Sequence, residues 1–139
     1  MQYYPSDKYS VDINLESHEG SEGIVFTNKN TFENIPINSL SIIGVKSFHP
    51  GILHHTLLNQ FVTINNVFID YRSTHVNTFK STIFRFYNIR NLTIQNSAGP
   101  YIVHSNSFNQ NAIGKLTLGP GLTEIQPSAF ATLTTQQLY

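Results

Sequence analysis

Apolar residues along this chain recur in a short template with unequal gaps. In the stretch NIRNLTI, Asn88 to Ile94, isoleucine, leucine and isoleucine fill the second, fifth and seventh places. The end of the stretch alternates as a half-buried strand does, but the opening gap of three is one a plain strand does not need. The template returns in PINSLSI (Pro36 to Ile42), TINNVFI (Thr63 to Ile69) and AIGKLTL (Ala112 to Leu118). Its first apolar residues, Ile37, Ile64, Ile89 and Ile113, are 27, 25 and 24 residues apart. Self-similarity at such a period marks a stacked-repeat architecture, so the pattern predicts a repeat solenoid.

A second marker keeps the same register. Phe32, Phe84, Phe108 and Phe130 each stand eight residues before a strand centre, namely Leu40, Leu92, Leu116 and Leu138. The repeat centred on Val67 departs, with Asn59 in that place and Leu58 beside it. Toward the start, SVDINLE offers Ile13 and Leu15 one repeat before Leu40 and Ile42, and Val11, Ile13 and Leu15 are expected to form an initial strand. The organisation that follows is an acidic segment over 1–30, carrying that strand, and a repeat array over 31–139 whose last repeat, TTQQLY, is incomplete. An uncovered solenoid end exposes apolar side chains and an open strand edge. The expectation is either a fragment of a longer repeat protein or end-to-end self-association through Leu138 and Tyr139.

In each repeat the last two apolar residues should point inward from a parallel strand: Leu40 and Ile42, Val67 and Ile69, Leu92 and Ile94, Leu116 and Leu118. The preceding isoleucine and the following phenylalanine fill the same core. Burying one such side chain is worth roughly 1.5–3 kcal/mol. No repeat buries its face alone, so stability must come from stacking neighbours.

Composition agrees with this picture. The chain has 139 residues, enough for a sizeable core, and only 12% are charged, about half the usual share. Many Asn, Ser and Thr suit tight turns and stacked strands better than surface helices. Net charge is zero, which gives no reason to expect nucleic acid or an anionic membrane. The charge is uneven: residues 1–33 hold six acidic and two basic side chains, and the remainder two acidic and six basic. No apolar stretch is long enough for a membrane span, and MQYYPSDKYS is not a secretory signal. The absence of cysteine excludes disulfides, thiolate metal sites and a cysteine nucleophile.

The stretch AIGKLTLGPGLTEIQPSAFATL, Ala112 to Leu133, resembles a leucine-rich repeat, in the form whose strand is followed by apolar residues at Leu122 and Ile125 and then Ala129-Phe130. Extracellular leucine-rich repeats of animals and BspA-like repeats share this look. The resemblance implies a horseshoe with one short parallel strand per repeat of about 24–27 residues, an irregular or 3-10 convex side, and an extracellular or cell-surface setting. The chain departs from the family where an asparagine normally satisfies the turn: Val45, Arg72, Ser97 and Gly121 stand there instead. A parallel β-helix is the alternative, with YIVHSNSF (Tyr101 to Phe108) as a second strand within a coil.

Outward strand positions are Ser39, Ser41 and Ile43; Asn66, Phe68 and Asp70; Asn91, Thr93 and Gln95; Lys115, Thr117 and Gly119. On a leucine-rich repeat these line the concave face, the usual surface for a protein partner. Phe68, with Asp70 and Tyr71 beside it, has the make-up of an interface anchor. The Asn91-Leu92-Thr93 triplet fits the N-glycosylation pattern, and a sugar there would obstruct the face. Catalytic and metal chemistry find little support. His54 and His55 are adjacent, His18, His49, His75 and His104 are scattered, and no HxH or HxxxH pair exists, so no metal or other cofactor is expected. No nucleophile elbow, phosphate loop or HExxH occurs. Asp70, Arg72 and His75 stand close together in the sequence and would be the polar cluster of a β-helix enzyme. The sequence thus favours a non-catalytic module that binds a protein or glycoprotein, against a carbohydrate-active β-helix enzyme or a structural, adhesive repeat segment. The number of strands per repeat separates the first two.

Overall fold

In a computed structural model of the protein, the residues described are 10–18, 21–27, 35–47, 62–79, 87–105, 107–108, 112–130 and 134–138. They form eleven strands: β1 (Val11–Glu16), β2 (Ile24–Val25), β3 (Ile37–Ile43), β4 (Val45–Ser47), β5 (Val62–Asp70), β6 (Asn77–Phe79), β7 (Tyr87–Gln95), β8 (Tyr101–Val103), β9 (Ala112–Leu118), β10 (Leu122–Ile125) and β11 (Thr134–Leu138). No helix occurs among these residues. The odd-numbered strands make one six-stranded sheet in the order β1-β3-β5-β7-β9-β11, with β6-β8-β10 and β2-β4 as smaller sheets. Every pairing is parallel. Each turn therefore leaves the long sheet, adds a short strand to a second side and returns beside its predecessor. The chain is a parallel β-solenoid.

The template found in the sequence sets the register. Ile64 pairs with Ile89 and Ile89 with Ile113, while Leu40, Val67, Leu92 and Leu116 form the next column. All are buried, as are Ile42, Ile69 and Ile94, while Leu118 packs half-buried against them. The opening gap of three is explained by Arg90 and Asn91, which are both exposed between buried Ile89 and Leu92. Strict alternation cannot bury residues three apart, so β3, β5, β7 and β9 each break their period once, at the same level of the stack. The initial strand is present too: β1 pairs with β3, placing Ile13 beside Leu40 and Leu15 beside Ile42.

The second side of the core is aromatic. Phe79, Tyr101, Val103 and Phe108 are fully buried. Phe108 lies 5.4 Å from Phe79 and 5.5 Å from Phe130 between ring centroids, the latter pair stacked at 12°. Two phenylalanines that precede their strands by eight residues thus stack in adjacent turns; Phe32 and Phe84 lie outside the described residues. At the far end, β11 continues the register with Leu138 beside Leu116. The side chain of Leu138 and all of Tyr139 are outside the described residues, as is the association expected of them.

Gly121 shows how tightly the turns close. Its φ is 96°, and a Cβ there would sit 2.4 Å from the Gly99 carbonyl oxygen and 2.6 Å from that of Asn96. Only glycine fits a left-handed position pressed on backbone from both sides.

Candidate functional site

Parallel stacking converts the outward positions of successive turns into rows. Asp12, Ser39, Asn66, Asn91 and Lys115 are register partners in one row; Asn14, Ser41, Phe68, Thr93 and Thr117 form the next. A third runs Glu16, Ile43, Asp70 and Gln95, with Gly119 just past β9 and close to Gln95. All ten residues expected to bind a partner thus share one face, with row members spaced by the strand separation of about 4.8 Å.

Side-chain hydrogen bonds run along the first row and the adjacent Asn38 and Asn65. Asn38 Nδ2 and Ser39 Oγ donate to Asp12 Oδ1 at 2.7 and 2.8 Å. Asn65 Nδ2 donates to Asn38 Oδ1, and Asn91 Nδ2 to Asn66 Oδ1 at 3.2 Å. These bonds, Asn38 first and Ser39 second, hold the Asp12 carboxyl below the usual carboxylate range. The amide of Asn91, the residue of the glycosylation triplet, is exposed and takes part in this ladder. In the second row Phe68 is half-buried between Ser41 and Thr93.

Asp70 plays a different part from its neighbours. Only 5% exposed, it accepts the backbone N–H groups of Arg72 (2.8 Å) and Ser97 (2.9 Å) at Oδ1 and the Gln95 amide (3.0 Å) at Oδ2. Burial pushes its carboxyl up, but the donors, Ser97 foremost, outweigh burial and leave it lowered. Of the polar group Asp70, Arg72 and His75, the Asp70 carboxylate is engaged by the N–H groups of Arg72 and Ser97 and by the Gln95 amide. The Arg72 guanidinium reaches back to Ser17 and Glu16, and the His75 backbone N–H bonds Ser73 Oγ. Of the histidines, His49, His54 and His55 lie outside the described residues. Among those described, no cluster of three His, Cys, Asp or Glu could hold a metal ion, and no helix could cross a membrane.

Sequence reasoning missed Asn96. It stands one place before the position where a turn asparagine was expected, and it is 2% exposed. Its Oδ1 accepts the Ser73 N–H (2.9 Å), and its Nδ2 donates to the carbonyls of Ser73 and Pro100 (both 2.9 Å). One asparagine therefore ties two successive turns, a function shifted by one position in a single repeat. Tyr101 was also overlooked as a clamp: its hydroxyl donates to the carbonyls of Ile94 (3.0 Å) and Gly119 (3.1 Å). Burial pushes that hydroxyl up to about 12. No family model matches the chain, and neither the curated proteins nor the solved structures contain a match.

Proposed function

We propose that the chain is a non-catalytic recognition module that binds a protein partner through the outer face of its six-stranded sheet. The observation that carries this reading is the second row, where a half-exposed Phe68 stands among Ser41, Thr93 and Thr117 on a regular, rigid sheet. An aromatic anchor ringed by small polar side chains is the usual make-up of an interface hot spot. On architecture, the short strands β2, β4, β6, β8 and β10 give each turn a second strand, which supports a parallel β-helix over a single-strand horseshoe. The leucine-rich-repeat likeness of Ala112 to Leu133, and the surface or secreted setting it implies, would then reflect a shared strand-and-turn order.

A carbohydrate-active enzyme is the second reading, because the β-helix alternative brought it. Asp70 would be its natural acid, yet that carboxylate accepts three internal hydrogen bonds, which supports a structural role. Capture of a partner from a lysate of the source cells, by immobilised wild type and by a Phe68→Ser/Thr93→Lys variant, tests the main reading. Capture should be lost with the melting temperature unchanged, while Thr78→Lys on β6 should leave it intact. Equal capture by the face variant would remove the sheet face from consideration. Asp70 and Gln95 are left alone because altering them would loosen the turn.

A further inference from the structure

A concave feature lies away from the sheet face, where the turns following β1, β3 and β5 come together. It is an open groove of about 730 Å³, inside the roughly 300–1,000 Å³ span of small-molecule sites. Its walls mix apolar and polar surface: Tyr71 and Val76 lie beside Ser17, Ser21 and Ser73, the cations Lys46 and Arg72, the carboxylate of Glu22, and His75. Two glycines shape one side. Gly44 has a φ of 81° and Gly23 one of 109°, and a Cβ on Gly44 would strike Ser17 Oγ and come within 3.1 Å of Arg72 Nη2. The bare Gly44 lets Arg72 pass over the second turn to the first, where Nη2 donates to the Ser17 carbonyl and hydroxyl (2.5 and 2.8 Å).

Arg72 is itself unusual. Its φ of 45° is left-handed, a conformation a side-chain-bearing residue keeps only where its surroundings hold it, and such positions gather at functional sites. Both cations sit in pairs that water reaches. Lys46 Nζ lies 2.9 Å from Glu22, with side-chain exposures of 52% and 85%, and Arg72 Nη1 lies 3.1 Å from Glu16, at 28% and 62%. The Lys46 pair, exposed on both sides, is worth little on its own, whereas Arg72 is also held by Ser17. Serine hydroxyls and His75 beside the cations suit a ligand that carries hydroxyl groups as well as charge.

We propose that this groove binds a small hydroxylated compound bearing one oxyanion, of the sugar-phosphate class. Lys46 and Arg72 hold the oxyanion, and Ser21, Ser73 and His75 meet the hydroxyls. Titration calorimetry of the full chain at low ionic strength, with glucose 6-phosphate, inorganic phosphate and glucose in parallel, tests it. Glucose 6-phosphate should saturate one site, inorganic phosphate should bind more weakly, and glucose should give no heat. Lys46→Gln should weaken glucose 6-phosphate about fivefold, as expected for one solvent-exposed charge pair, while Arg90→Gln, on the strand face, should change nothing. Should Arg72→Gln fail to fold, Lys46→Gln decides alone. No saturable binding of glucose 6-phosphate, or equal weakening by Arg90→Gln, would overturn the proposal. Inorganic phosphate binding as tightly as the sugar phosphate would overturn the part assigned to the hydroxyls.

Discussion

The carboxylate of Asp70 accepts the backbone N–H of Ser97 at 2.9 Å, linking the ends of two neighbouring strands across one full turn. The same oxygen takes the N–H of Arg72, so one buried carboxylate holds two backbone donors from successive turns.

Asp70→Ala should therefore cost about 2 kcal/mol and Asp70→Asn about 1 kcal/mol, the range for losing hydrogen bonds to a charged group. Burial opposes the ionised form, but the N–H donors keep the folded-state value below the ordinary one. A depressed carboxylate contributes stability above its unfolded value, near ~3.9, and loses it as pH falls through the folded value. Urea melts of wild type and Asp70→Asn should differ by a constant amount between neutral pH and about pH 5, then converge in more acidic solution. A gap that widened on acidification would contradict the assignment.

Leu92 and Leu116 are fully buried register partners, while Thr93 and Thr117 are partners on the opposite face. Leu116→Asp would put an unpaired charge into the core and should unfold the array, whereas Thr117→Asp should shift stability by no more than about 0.5 kcal/mol. Circular dichroism melts of the two variants make the comparison. Equal tolerance would mean the register is wrong.

Tyr71 and Tyr101 pack 6.3 Å apart but differ at the hydroxyl. That of Tyr101 donates to two carbonyls, and that of Tyr71 is buried without a partner among the described residues. Burial, with Tyr101 alongside, raises the Tyr71 hydroxyl well above its ordinary value. Tyr101→Phe should cost about 1 kcal/mol, while Tyr71→Phe should be neutral or slightly stabilising. Denaturant midpoints of the two variants, read at equal slope, would show the opposite order if the hydroxyls were misassigned.

The inward columns were legible because period and burial obey the same rule. The positions of Ile89, Leu92 and Ile94 are apolar in β3, β5, β7 and β9, and each position has one neutral chemistry that fits. Phe108 and Phe130 were legible for the same reason. Their place in the core needed only constant spacing; that they stack came from the structure. The turn chemistry was not legible. Asn96 does its work one residue from the place where a repeat-wide pattern would look, and Asp70 alternates outward like Phe68 yet is sealed by the Ser97 turn. Such contacts depend on the path of a single turn and leave no periodic trace. The groove around Arg72 is hidden for a related reason, since Ser17, Lys46 and Arg72 come from three turns and meet only through the glycine between them.

Parallel pairing at a steady period has a consequence for how the chain finds its shape. Partners in the long sheet are separated by as few as 22 residues, for Thr134 and Ala112, and as many as 27, for Asp12 and Ser39. Closing a loop of that length costs roughly 3 kcal/mol in chain entropy, and the cost grows only with the logarithm of the length. Every turn thus meets nearly the same closure penalty, and none must join distant parts of the chain. Length along the stack adds turns without adding topological difficulty.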